Sequence, residues 1–297
     1  MRCALWCVGC LVAAGCGARA EVVPVMKASD AMALPRPAAD HILFYGDGPL
    51  HFGELRLPDG EGPHPVVIVI HGGCWLAEYD LGHISGLANA LRNAGFATWS
   101  IEYRRVGDGG GGWPGTFEDV AAATDYLAEI APKFRLDSTR VAAIGHSAGG
   151  HLALWLAGRR NLEIDDPLRG GEPLSIQGVV ALAGIPDLEA FASSEGCGAA
   201  VSGLLGDEPD QFFERLRRGS PIAMVPFGIT QILIVGERDP IVPRDQADAF
   251  ADAARRAGDD VRVVEIPAVG HFELVDPTHG AFEIVRSAVA EALQKQE

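Results

Sequence analysis

RVAAIGHSAGGHLALWLAG, residues 140–158, decides how the rest of the chain is read. RVAAIG is a short apolar run of the kind that forms a buried strand. SAGGHLALWLAG reads as a helix. Between them GHSAG, residues 145–149, matches G-x-S-x-G, a motif that requires a strand before it and a helix after it. Ser147 would occupy a strained turn that lifts its hydroxyl above a sheet. Gly145 and Gly149 permit close packing because they have no side chain. The new helix aims free N–H groups at the reaction centre. A serine that merely caps a helix fits the pentapeptide alone; the strand and helix around it favour a nucleophile.

Outward from this turn, strands and helices alternate. VVIVI (66–70), FATWSIEY (96–103), VVALAG (179–184), QILIVG (231–236) and VRVVEIP (261–267) read as strands. Helices are expected over 82–95, 116–134, 243–257 and 280–295, with Thr116 as the N-cap of the second. Two short strands are expected around Gly46-Asp47-Gly48. This rhythm predicts an α/β fold with a mostly parallel central sheet and helices on both faces. Residues 186–228 break the rhythm and read as a small insertion over the active site. In such sheets the ligand crevice lies beyond the carboxyl ends of the strands.

A serine hydroxyl needs a base, and the base needs an orienting acid. Asp239 follows QILIVG and His271 follows VRVVEIP, so the order Ser147, Asp239, His271 lies on three strand ends. Read singly, Asp239-Pro240 is a turn and His271 a loop histidine; the joint order favours catalysis. Glu237 is the rival acid. His279 is the rival base, at the expected start of the last helix. His146 and His151 flank the serine and are expected to pack or to wall the pocket.

HGGCW, residues 71–75, follows the VVIVI strand. Cys74 as a reactive thiol, His71 with Cys74 as metal ligands, and a loop that serves through its backbone are three readings of it. Together HGGCW, SIEYRR (100–105) and GHSAGGHLAL (145–154) resemble the hormone-sensitive-lipase-like esterases among the α/β-hydrolases. They are closer to the bacterial esterase and kynurenine-formamidase-like branch with HGGxW. The resemblance spans roughly residues 42–293. It implies an α/β-hydrolase fold and an oxyanion hole made by the amides of Gly73, Cys74 and Ala148. Cys74 stands where the lipase-type motif has a third glycine; an amide donor tolerates that change. Trp75 is expected on the acyl side of the pocket, with core packing as its other reading, and His146 in the pocket wall; in the resembling family the segment of Trp113 borders the active site, which puts that ring within reach of substrate. Glu102-Tyr103-Arg104 is expected to be scaffold. VGDGGGGWPG (106–115) lacks the Gly-Lys-Ser/Thr ending of a phosphate loop.

The 297-residue chain is 48% hydrophobic and 22% charged, which is globular composition. Its net charge of −16 disfavours nucleic acid and charge-driven docking on anionic lipid. Residues 1–20 read as an export leader: Ala18-Arg19-Ala20 offers cleavage after Ala20, and Ala13-Ala14-Gly15-Cys16 resembles a lipobox with Cys16 as a lipidated residue. An exported protein is expected, either periplasmic or secreted, or held at the outer membrane through a lipid on Cys16. Residues 21–40, with Pro24, Pro35 and Pro37, read as a flexible tether, and 41–297 as the catalytic domain. Only Cys74 and Cys197 lie outside the leader and tether; whether they meet is not legible. The expected function is a serine hydrolase of small to medium acyl esters, with no cofactor and no metal. Alternatives are an arylformamidase and a non-catalytic binding protein on the same fold.

Overall fold

The computed structural model describes residues 24–206 and 208–294. Eight strands form one sheet: β1 (His41–Phe44), β2 (Phe52–Arg56), β3 (His64–Ile70), β4 (Ala97–Ile101), β5 (Leu136–His146), β6 (Gly178–Leu182), β7 (Thr230–Gly236) and β8 (Val261–Ile266). Their spatial order is β1-β2-β4-β3-β5-β6-β7-β8. The β1–β2 and β2–β4 pairs are antiparallel, and every pair from β4–β3 to β7–β8 is parallel. The hairpin around Gly46-Asp47-Gly48 supplies the antiparallel edge. The expected mostly parallel sheet is therefore observed.

Ten helices accompany the sheet among the described residues: α1 (Ala28–Met32), α2 (Ser85–Asn93), α3 (Gly115–Asp125), α4 (Leu127–Phe134), α5 (Ala148–Gly158), α6 (Leu188–Phe191), α7 (Ala200–Leu205), α8 (Pro209–Gly219), α9 (Asp245–Arg256) and α10 (Ala281–Ala292). All residues of β4 and β6 are buried. Such strands need cover on both faces, which explains their unbroken apolar sequences. Both α5 and α10 pack on β6. The helix expected over 116–134 is two helices that meet at Tyr126. Thr116 is not its N-cap, since Pro114 holds that place. The Thr116 hydroxyl instead donates to Arg104 O at 2.5 Å and accepts from Gly112 N–H at 3.0 Å. It ties the glycine-rich loop to the chain leaving β4.

The insertion is ordered as α6, a 3-10 turn at Gly196–Ala199, α7 and α8. Leu188, Phe191, Val201 and Leu204 give it an apolar core. The export leader, with Cys16 and Ala20, lies outside the described residues. The tether expected over 21–40 is corrected where it is described. Ala28–Met32 is helical, Ala31 is buried, and Met26 N–H donates to Glu273 Oε1 at 2.6 Å. Ala31 and the Met26 amide find a seat on the domain, which proline content alone did not show.

Candidate active site

The turn after β5 has the geometry that GHSAG demands. Ser147 sits at φ 56° and ψ −121°, a conformation held by its N–H donating to Leu182 O at 2.8 Å. A Cβ on Gly145 would lie 2.0 Å from Gly149 O, and one on Gly149 would lie 2.2 Å from Ile70 O. Backbone blocks both positions, so neither admits a side chain. α5 starts at Ala148, whose amide is in the first turn and lacks an intrahelical acceptor.

Asp239 and His271 meet. His271 Nδ1–H donates to Asp239 Oδ2 at 2.7 Å, and both side chains are almost wholly buried. Asp239 Oδ1 accepts from Ile241 N–H at 2.7 Å and Val242 N–H at 3.0 Å. The carboxylate is thus fixed by the turn that its own Asp-Pro sequence makes. With the proton on Nδ1, Nε2 carries the lone pair a general base needs. Glu237 is engaged elsewhere: it accepts from Ala268 N–H at 2.7 Å. His279 accepts from Ala281 N–H at 3.1 Å at the head of α10. Ser147 and His271 line one cavity of about 130 Å³, but the Ser147 hydroxyl is not hydrogen-bonded to His271 in this conformation. Such bonds are commonly long until substrate is present.

Gly73 and Cys74 line the same cavity, and their amides have no protein acceptor among the described residues. A Cβ on Gly72 would lie 2.5 Å from His146 O and 3.1 Å from Ser147 Cβ, so this loop is pressed against the serine turn. His71 holds the loop: its ring nitrogens face Gly72 O at 2.9 Å and Glu102 Oε1 at 3.0 Å. Tyr103 O–H donates to His71 O at 2.8 Å, and Arg104 pairs with Asp119 at 2.6 Å. Burial pushes the Glu102 carboxyl up, but His71 and Arg105 beside it prevail and hold it below the ordinary carboxylate value. Cys74 is disulfide-bonded to Cys197, so its sulfur is free for neither nucleophilic attack nor metal binding.

The cavity wall differs from expectation in two places. Trp75 is fully buried, does not line the cavity, and donates from Nε1 to His151 Nδ1 at 3.1 Å. Trp113 packs on Phe117 with Arg218 over its ring, also away from the cavity. Both rings satisfy a neighbouring core instead of the substrate space. His146 does line the cavity; its Nε2–H donates to His271 O at 3.0 Å. Burial, then the neighbouring His271 and His83, holds its pKa well below 6.5. The remaining wall was not foreseen: Ala28, Ala31 and Met32 of the N-terminal arm, Tyr79, His83, Cys197, Ile241 and Phe272. Burial lowers His83 to about 3. Glu273 joins the arm to the histidine loop, accepting from Met26 N–H at 2.6 Å and Gly270 N–H at 3.1 Å. Phe272 adjoins a recognised motif residue and was within reach of sequence reading; the arm carries no such signal.

Residues 54–253, well over half the chain, match the BD-FAE family. The chain belongs to the BD-FAE family. This places it in the α/β-hydrolase superfamily, as the HGGxW and GHSAG resemblance implied. Among curated relatives, Esterase LipC of Mycobacterium tuberculosis is 31% identical over 79% of this chain and 60% of its own length. Esterase LipQ of the same organism is 27% identical over 71% of this chain and 51% of its own. The chain therefore spans half to three fifths of the length of these relatives. A solved truncated form of carbohydrate esterase from gut microbiota superposes with a TM-score of 0.73 at 24% identity, over 86% of this chain and 95% of that one. That likeness supports the α/β-hydrolase fold.

Proposed function

We propose that this BD-FAE protein is a serine hydrolase that cleaves carboxylic esters of small acyl groups. One observation carries the reading: the buried Asp239–His271 pair opens on the same cavity as Ser147 and the unpartnered amides of Gly73 and Cys74. In the first half-reaction His271 Nε2 takes the Ser147 proton while Oγ attacks the ester carbonyl. The amides of Gly73, Cys74 and Ala148 stabilise the oxyanion. His271 returns the proton to the departing alkoxide, which leaves as the alcohol. Water then attacks the acyl-Ser147, gives its proton to His271, and releases the carboxylic acid as Ser147 is restored.

The mainly apolar wall and a volume of about 130 Å³ favour a compact acyl group; a cavity of about 150 Å³ accepts a molecule the size of benzene. The esterase names of the curated relatives support ester cleavage. The leader, together with a Cys74–Cys197 disulfide, supports export to an oxidising compartment. The test is hydrolysis of p-nitrophenyl acetate and of an N-formyl aromatic amide by the wild type and Ser147→Ala. We expect ester turnover that falls by about a thousandfold or more in the variant. Unchanged turnover in Ser147→Ala would sink the mechanism. Faster turnover of the formyl amide would replace the ester by an amide with the same residues.

A further inference from the structure

The HGGCW loop holds three successive residues in the left-handed region: Gly73 at φ 108°, Cys74 at φ 51° and Trp75 at φ 59°. Only the first is glycine. A Cβ on Gly73 would lie 2.3 Å from the Tyr79 side chain, so that position is closed to any other residue. The other two carry the steric penalty of a Cβ at positive φ, on the order of 1 kcal/mol or more each. Such a conformation persists only where its surroundings impose it.

Trp75 has such surroundings. It is fully buried, bonded through Nε1 to His151, and its carbonyl accepts from Val106 N–H at 2.8 Å. Cys74 has none of these. Its amide donates to no protein group among the described residues, and the residue lines the cavity. Its fixed contact is the bond to Cys197, 123 residues later, at a Cα–Cα distance of 5.3 Å, within the range a disulfide spans. The far end is firmly seated. Cys197 lies in the Gly196–Ala199 turn, where a Cβ on Gly198 would come within 2.6 Å of Phe191 O, and Phe191 is fully buried in the insertion core.

We propose that Cys197 is a positioning residue for catalysis. Through its bond to Cys74 it holds the Cys74 amide toward the oxyanion, at a position where glycine would adopt the required φ without help. Turnover therefore depends on the disulfide being formed. The proposal rests on the serine-hydrolase reading above. It also assigns the insertion a role: it anchors the oxyanion loop from above the sheet.

The experiment measures kcat and KM separately on p-nitrophenyl acetate for the wild type, Cys197→Ser, the double variant Cys74→Gly/Cys197→Ser, and Ser147→Ala. Loss of one well-aimed donor costs about a hundredfold, so Cys197→Ser is expected to lose between about tenfold and a hundredfold in kcat, with KM little changed. The double variant is expected to recover most of that loss, because glycine takes φ > 0 freely. A purely structural disulfide predicts no recovery, since both variants lack the bond. Equal kcat in the wild type and Cys197→Ser overturns the proposal, as does a double variant no faster than Cys197→Ser. Thermal melts establish that each variant is folded at the assay temperature. Should Cys197→Ser melt too low, the wild type is assayed in the cold with and without dithiothreitol. A kcat that falls on reduction and returns on reoxidation, beside a double variant indifferent to dithiothreitol, supports the proposal; an unchanged wild-type kcat after verified reduction overturns it. Activity persisting in Ser147→Ala would instead remove the serine reading itself.

Discussion

Asp239 does two things with two oxygens: Oδ2 receives His271, and Oδ1 receives two amides of its own turn. Asp239→Asn preserves the size and most of that turn but places a donor beside His271 Nδ1. The proton then belongs on Nε2, where it blocks the base. We expect kcat to fall by about a thousandfold or more with the melting temperature little altered, measured by steady-state kinetics and calorimetry. A loss below tenfold would mean that His271 is oriented by something else. Trp75 supplies the contrasting case. Trp75→Phe leaves His151 Nδ1 without its donor inside the core, which costs about 1–3 kcal/mol; KM for a short ester is expected to stay the same. A raised KM with unchanged stability would return Trp75 to the pocket. These residues also show what sequence made legible. Ser147, Asp239 and His271 each follow a strand and come in a known order, so their positions were readable. Trp75 and Trp113 were readable as important, but a sequence gives the identity of a ring and not the direction in which it points. His83 lies inside an ordinary helical stretch and had no local signature.

At the scale of elements, the sheet was legible because β-branched runs bounded by glycine specify buried strands. The break at Tyr126 was not, because the apolar pattern continues across it and no glycine or proline marks the spot. The N-terminal arm was misread for a different reason. Its order comes from elsewhere in the chain: Arg36 pairs with Asp80, Arg56 donates to Pro37 O, and a further partner lies more than two hundred residues away. Glu273 is that partner, and it grips both the arm and the histidine loop. Glu273→Ala leaves two amides without their acceptor, so a loss of about 1–3 kcal/mol in stability is expected from denaturant melts. The wall formed by Ala28, Ala31 and Met32 should loosen with it. The ratio of p-nitrophenyl octanoate to acetate turnover is then expected to rise severalfold. An unchanged ratio would show that the arm does not bound the acyl group.

Over the whole molecule, three buried histidines set the response to acid. Burial lowers His83 to about 3 and His151 to about 4, and it lowers His146 as well. In the unfolded chain each titrates near 6.5. Below that pH the unfolded chain takes up protons that the folded one refuses, so stability falls as pH falls and is complete above about 7. The slope reaches at most about 1.4 kcal/mol per pH unit for each histidine. Denaturant midpoints measured from pH 8 to pH 4.5 should be flat at first and then drop below about pH 6.5; a flat profile throughout would contradict the neutral buried state. The Met26–Glu273 contact also bears on synthesis. A chain is made from its N-terminus, so the arm emerges before the sheet and waits while all eight strands are translated. The cavity gains that wall only once residue 273 has emerged and folded. A nascent or prematurely terminated chain can display the serine turn, but it has neither His271 nor the finished pocket. The site proposed above is thus completed only after the last strand, β8, has been made.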